Sequence, residues 1–203
     1  MLLVISMSSC ASPPVPRGQS TADASWNSYT TSDGALVFDH PTHWTVVEAA
    51  PLANDPAGGV SVRVLDAGGN TVASLDTGII ADLVCGPDTA AAYEEYDTEA
   101  MPELASQQGT EQRFVYRSLA PGTPAGGDPV ATYAVISGTG DRGGCGLFDF
   151  FSLTESSGGR FAGDYPEDSA APGQSYLDGA AAYENSPEFR DVKRMLVSLR
   201  NAG

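Results

Sequence analysis

Apolar and polar residues alternate with a period of two through most of the interior of this chain, the pattern of strands with one buried face. Ala35-Leu36-Val37-Phe38-Asp39 leads through His40-Pro41-Thr42-His43 into Trp44-Thr45-Val46-Val47-Glu48, which predicts an antiparallel hairpin. Val60, Val62 and Val64 alternate with Ser61 and Arg63. The turn residues Asp66-Ala67-Gly68-Gly69-Asn70 then precede Thr71-Val72-Ala73-Ser74-Leu75, predicting a second hairpin. Further strands are expected over residues 78–84, 112–118, 130–136, 147–153 and 160–162. Residues 93–104 are assigned to neither strand nor helix.

The pattern changes near the C-terminus, where Phe189, Val192, Leu196 and Leu199 recur on one helical face. Ser186 is placed to cap that helix and Pro187 suits its first turn. Glu188 and Asp191 lie near its start and Lys193, Arg194 and Arg200 towards its end, an order that complements the helix dipole. Tight turns between strands, with a closing helix, predict an α+β fold: an antiparallel β-sheet flanked by helices.

Residues 10–27 carry no such period. Pro, Ser, Thr, Ala and Gly predominate there, so this stretch is expected to be an unpacked tether, with one globular domain over residues 28–203. Ahead of it, Leu2 to Met7 form a short apolar run, Ser8-Ser9 supply small residues, and Cys10 follows. An apolar run, small residues and then cysteine form the pattern of a lipidated export signal. Met7 and Ser9 stand where such signals more often carry Leu and Gly or Ala. The run is also shorter than usual and no Lys or Arg precedes it, which predicts that residues 1–9 are a truncated signal peptide. The alternative is a cytosolic protein with an unpacked apolar N-terminus. Diacylglycerol on Cys10 would supply two acyl chains, enough for stable anchoring at the outer face of the cell membrane.

An oxidising compartment changes the reading of the other two cysteines, Cys85 and Cys145, which are expected to form a disulfide. Closing a loop of about 60 residues stabilises a fold by about 4 kcal/mol in the chain-entropy description. The competing reading makes Cys145 a nucleophile within Gly143-Gly144-Cys145-Gly146, but a catalytic thiolate needs a base, and His40 and His43 are the sole histidines.

Charge narrows the partners. Twenty-six acidic against ten basic side chains give a formal charge of -16, which repels nucleic-acid phosphates and anionic headgroups, so no nucleic-acid partner is expected. Two acidic groups, Glu94, Glu95, Asp97, Glu99 and Glu103, and Asp164, Glu167 and Asp168, match no calcium-loop spacing and read as solvated surface. Asp39, His40 and His43 could supply metal ligands, yet a proline turn does not fix them on one centre. Gly138-Thr139-Gly140-Asp141-Arg142-Gly143 matches a dinucleotide fingerprint in letters, but Leu147-Phe148-Asp149-Phe150-Phe151 reads as a strand where that motif needs a helix. No Gly-x-Ser-x-Gly elbow and no Walker loop occurs. No cofactor, no metal and no catalytic residue is therefore expected.

The segment Phe38-Asp39-His40-Pro41-Thr42-His43-Trp44-Thr45-Val46 resembles the aromatic-x-x-Pro-x-x-Trp opening of PsbP-type domains, and residues 183–199 resemble their terminal helix. Such domains occur in the extrinsic photosystem II subunit and in actinobacterial lipoproteins, and the latter resemble the whole chain. The resemblance covers about residues 28–203. It implies an α/β/α sandwich and a binding or assembly role instead of chemistry. The expected function is thus an exported, membrane-anchored lipoprotein with a non-catalytic binding or accessory domain; the alternative is an exported hydrolase whose site has no recognisable motif.

Overall fold

The computed structural model describes residues 25–49, 59–80, 93–119, 128–138, 149–166 and 169–203. Two antiparallel sheets form the framework: a three-stranded sheet in the order β1-β2-β11 and an eight-stranded sheet in the order β3-β4-β5-β10-β8-β7-β6, with β9 pairing to β10. The strands are β1 Trp26–Thr30, β2 Leu36–Pro41, β3 Thr45–Glu48, β4 Ser61–Leu65, β5 Thr71–Ile80, β6 Tyr93–Ala100, β7 Gln112–Leu119, β8 Val130–Ser137, β9 Phe151–Ser152, β10 Ser157–Asp164 and β11 Arg200–Asn201. Two helices, α1 Tyr176–Tyr183 and α2 Pro187–Val197, lie between β10 and β11 in sequence.

This corrects the expected class. Among the described residues the chain is mostly β, with 47% strand and 15% helix, and is not a helix-flanked α+β sandwich. The physical reason lies in what covers the large sheet. One face presents Leu75, Phe161, Val135, Tyr133, Phe114 and Tyr116, which the strand registers place side by side. It is covered by both the small sheet and the helices: the Phe38 ring of β2 packs tilted against Phe161 at 5.1 Å, and Phe189 of α2 against Tyr116 at 4.9 Å. One continuous apolar core therefore joins both sheets and α2. The opposite face carries a smaller buried cluster of Val115, Ala134, Ile136 and Ala162.

The first expected hairpin is also corrected. β2 pairs with β1 and β11, whereas β3 pairs with β4, so the two strands flanking the Pro41 turn belong to different sheets. At that turn Trp44 N donates to the Pro41 carbonyl at 3.0 Å, and the Trp44 ring is buried at 6% exposure. The partner β2 takes is β1, in a stretch expected to belong partly to the tether. Asn27, Ser28 and Thr30 dilute its apolar signal, yet Trp26 and Asn27 already pair with Pro41 and His40. A cation–π contact of 4.0 Å between Arg194 and Trp26 ties this strand to α2.

The second hairpin stands as read. β4 and β5 pair antiparallel, with a register shift between Val64 and Leu65, and their turn is closed by Asp66, whose carboxylate accepts from Asn70 N at 2.8 Å and Asn70 Nδ2 at 3.0 Å. These bonds hold the Asp66 carboxyl below its ordinary range, the Asn70 side chain contributing most. Gly69, with φ of 85°, supplies the left-handed residue the turn requires. α2 stands as read too: Ser186 accepts from Phe189 N at 3.0 Å, Pro187 opens the first turn, and Phe189, Val192, Met195 and Leu196 are buried. Leu199, also buried, lies past the helix end, before β11.

Candidate functional site

Residues 93–104, which carried no clear period, form the site's frame. Tyr93–Ala100 is β6, the terminal strand of the large sheet, and its ladder with β7 continues one step further, where Met101 N donates to the Gln112 carbonyl at 2.9 Å. Pro102 turns the chain away, and Met101 and Leu104 anchor the connection by inserting into the core at 2% exposure each. Three bonds then fix its course. Ala105 N donates to Asn201 Oδ1 at 2.7 Å, Gln107 N to the Leu153 carbonyl at 2.9 Å, and Thr110 N to Ser106 Oγ at 2.8 Å. Gly109, at φ of 69°, makes the last bend before β7.

Between this connection and the ends of β6, β7 and β8 lies a groove of about 710 Å³. Ala100, Met101, Leu104 and Ala105 give it apolar walls; Glu99, Glu111 and Arg113 give it charge. Its far end is held by a satisfied polar knot. Buried Gln112 donates through Nε2 to the Ser152 carbonyl at 2.8 Å and accepts at Oε1 from Ser137 Oγ at 2.6 Å, while Ser137 Oγ accepts from Ser152 N at 2.7 Å. Gly138 N donates to the Glu111 carbonyl at 2.8 Å. Such a knot rigidifies the mouth, because breaking one bond would strand a buried partner.

The charges are mostly committed. Arg113 Nη1 lies 2.9 Å from Glu95 Oε2 and donates to Thr98 Oγ1 at 2.9 Å, and its Nε donates to the Gly138 carbonyl at 3.2 Å. Lys193 of α2 reaches Asp97 at 2.8 Å and Glu99 at 3.1 Å. Although burial opposes it, the bonds to these carboxylates raise the lysine pKa further. The acidic group expected from the sequence thus runs along an edge strand and its connection and does not converge on one point.

The remaining candidates separate. His40 is buried at 7% exposure in β2, its Nδ1 2.9 Å from the Pro41 carbonyl and its ring beside Phe38. His43 stands instead against Trp44 on the rim of a smaller cleft of about 230 Å³ lined also by Asp66, Glu188 and Asp191. Asp39 is bound by Ser28 Oγ at 2.6 Å and Arg200 at 3.3 Å. Among the described residues no three His, Cys, Asp or Glu side chains are grouped to hold a metal ion. Asp164 keeps a carboxyl pKa above its ordinary value, through burial first. Cys10, Cys85, Cys145, Glu167, Asp168 and residues 139–143 of the glycine-rich motif lie outside the described residues.

Sequence reading missed two polar features. Arg117 is 2% exposed on the face opposite the main core, with Nη2 3.2 Å from Asp149 Oδ1, and Arg160 meets the other Asp149 oxygen at 3.5 Å. Its signal was parity: Arg117 shares a face with Val115. The second is Glu48, whose two carboxylate oxygens accept from Tyr29 and Ser32 hydroxyls across the sheets. Nothing local marks that pairing. No helix among the described residues is long and apolar enough to cross a membrane. No family model matches this chain, and neither any curated protein nor any solved structure matches it.

Proposed function

We propose that this protein is an exported lipoprotein, anchored at the outer face of the cell membrane through lipid on Cys10, whose domain is a non-catalytic binding or accessory module. The groove at the β6–β7 end carries this reading. Its volume of about 710 Å³ is in the range of ligand-binding clefts, and apolar walls with a few fixed polar groups are what such clefts use for affinity and orientation. Its arginine is already bound to Glu95, Thr98 and Gly138, a scaffold role. A disulfide between Cys85 and Cys145 belongs to the same proposal, as a stabiliser of a domain working outside the reducing cytosol.

The competing hydrolase reading would use His43, but the described lining of its cleft offers no hydroxyl or thiol, and Asp66 there is held as an anion by its own turn. Titration with the neutral apolar fluorophore N-phenyl-1-naphthylamine tests the groove. Saturable one-to-one binding that is lost in Ala105→Trp is expected; no saturable binding, or binding indifferent to that substitution, overturns the assignment. Mass spectrometry of the native protein tests the anchor, where diacylglycerol on Cys10 is expected and an unacylated chain retaining residues 1–9 refutes it.

A further inference from the structure

The groove and the outer edge of the large sheet share three residues, Thr98, Glu99 and Ala100. β6 ends the sheet and pairs only with β7 among the described residues. Its register shift falls between Glu95 and Asp97, so the stretch lining the groove is the regular part of that edge. An unpaired edge offers backbone N–H and C=O groups to an extended chain, and a cleft beside it receives one of that chain's alternating side chains.

Charge then selects the occupant. Among the described residues Glu94, Glu103 and Glu111 have no ion-pair partner, while Glu95, Asp97 and Glu99 share Arg113 and Lys193. A second copy of β6 laid along this edge would set carboxylates against carboxylates. Anionic lipid or nucleic acid would be repelled by the same field. An extended segment bearing cations gains from both the edge and its charge.

We infer that this edge and groove take a segment of a partner protein in which Lys or Arg alternates with apolar residues, added as a further strand along residues 98–100 with one apolar side chain in the groove. The inference rests on the groove being the binding surface. Its carboxylates discriminate partners as well as attract them, since like charge excludes self-pairing.

Fluorescence anisotropy of the full chain with fluorescein-labelled Lys-Val-Lys-Leu-Lys-Val-Lys tests it, with Glu-Val-Glu-Leu-Glu-Val-Glu as the charge-reversed control. Saturable one-to-one binding of the basic peptide that weakens as sodium chloride is raised is expected, and none of the acidic one. Two further peptides, N-methylated at odd or at even amides, read strand addition directly. One of the two should lose about tenfold or more in affinity, because only alternate N–H groups face β6. Ala100→Trp and Ala105→Trp, both at exposed positions and checked for native circular dichroism, should each show a similar loss. Equal binding by both methylated peptides, binding by the acidic peptide, or binding unchanged in both groove variants overturns the inference. If no peptide binds while the naphthylamine still does, the inference fails and the groove stands as a small-ligand site. If neither binds, the groove assignment falls with it.

Discussion

The two edges of the large sheet solve the same problem in opposite ways. β3 is four residues long, and its last residue, Glu48, is tied to Tyr29 and Ser32, so the small sheet closes over that end. β6 is eight residues long, lies at the other margin, and is protected by carboxylates with a groove at its end. Exposed edges are hazardous because unpaired backbone groups recruit other strands, and short length, a covering element or charge each reduces that hazard. The difference teaches where a partner fits: an edge closed by hydrogen bonds is spent, whereas one guarded by charge remains open to the opposite charge.

The largest effect is expected from opening the closed edge. Phe38→Ala removes a fully buried ring that packs beside Tyr29 within the small sheet and joins that sheet to Phe161 of the large one, and should cost about 3–5 kcal/mol in urea unfolding. A loss under about 1 kcal/mol would show that the small sheet contributes little to holding the large one.

Glu48→Ala is expected to be milder, about 1–3 kcal/mol, because two hydroxyl partners lose their acceptor. Its pH signature is sharper. Tyr29 is pushed up to about 12 by burial first, then by its bond to Glu48 and the charge there. The folded state therefore keeps this proton after the unfolded chain, near its ordinary value of about 10, has lost it. Stability linked to Tyr29 is full below about pH 10 and is lost as pH rises towards 12. In Glu48→Gln the phenol should ionise at lower pH yet still above 10, since burial is the larger cause. Difference absorbance at alkaline pH, referenced to Tyr29→Phe, reads this directly, and an unchanged titration would sever the tie between Glu48 and the edge.

At the open edge the stability effects shrink. Lys193→Met leaves Asp97 and Glu99 without their cation, but partly exposed ion pairs contribute only about 0–1 kcal/mol, and salt should abolish the difference. The same substitution should strengthen binding of the basic peptide, an opposite sign that separates function from fold. Ala105→Trp should alter unfolding by no more than about 0.5 kcal/mol, since the residue is exposed, while eliminating groove occupancy. A large destabilisation there would mean the groove is part of the core.

Much of the fold was legible where its cause is local. The Ser186–Pro187 helix start and the Asp66–Asn70 turn announce themselves because the hydrogen-bonding groups lie three or four residues apart. Alternation marked β4, whose buried Val62 and Val64 sit between exposed Ser61 and Arg63, whereas β7 and β8, buried on both faces, showed as apolar runs. β6 escaped because, as an edge strand, it exposes Glu94, Glu95 and Glu99 and its bulge shifts the period. α1 escaped as well: it packs through Gly179 and Ala180, which leave no stripe of large residues to detect.

Side-chain periodicity says which residues face inward, not which strand lies alongside, and the latter is settled by contacts far apart in sequence. The tight turn at Pro41 promised a hairpin, yet β1 and β11 gave β2 its partners, and core packing on Phe161 decided the outcome. The groove arises in the same way, from the meeting of β6, β7 and β8 ends under a connection anchored to Asn201, 96 positions away. Local patterning thus determined the strands with strong alternation, the capped helix and the acidic surface. Only the tertiary structure decided how the strands divide between two sheets, what covers each face, and which strand stands at each margin among the described residues, because those choices depend on burying complementary apolar surfaces across the whole chain.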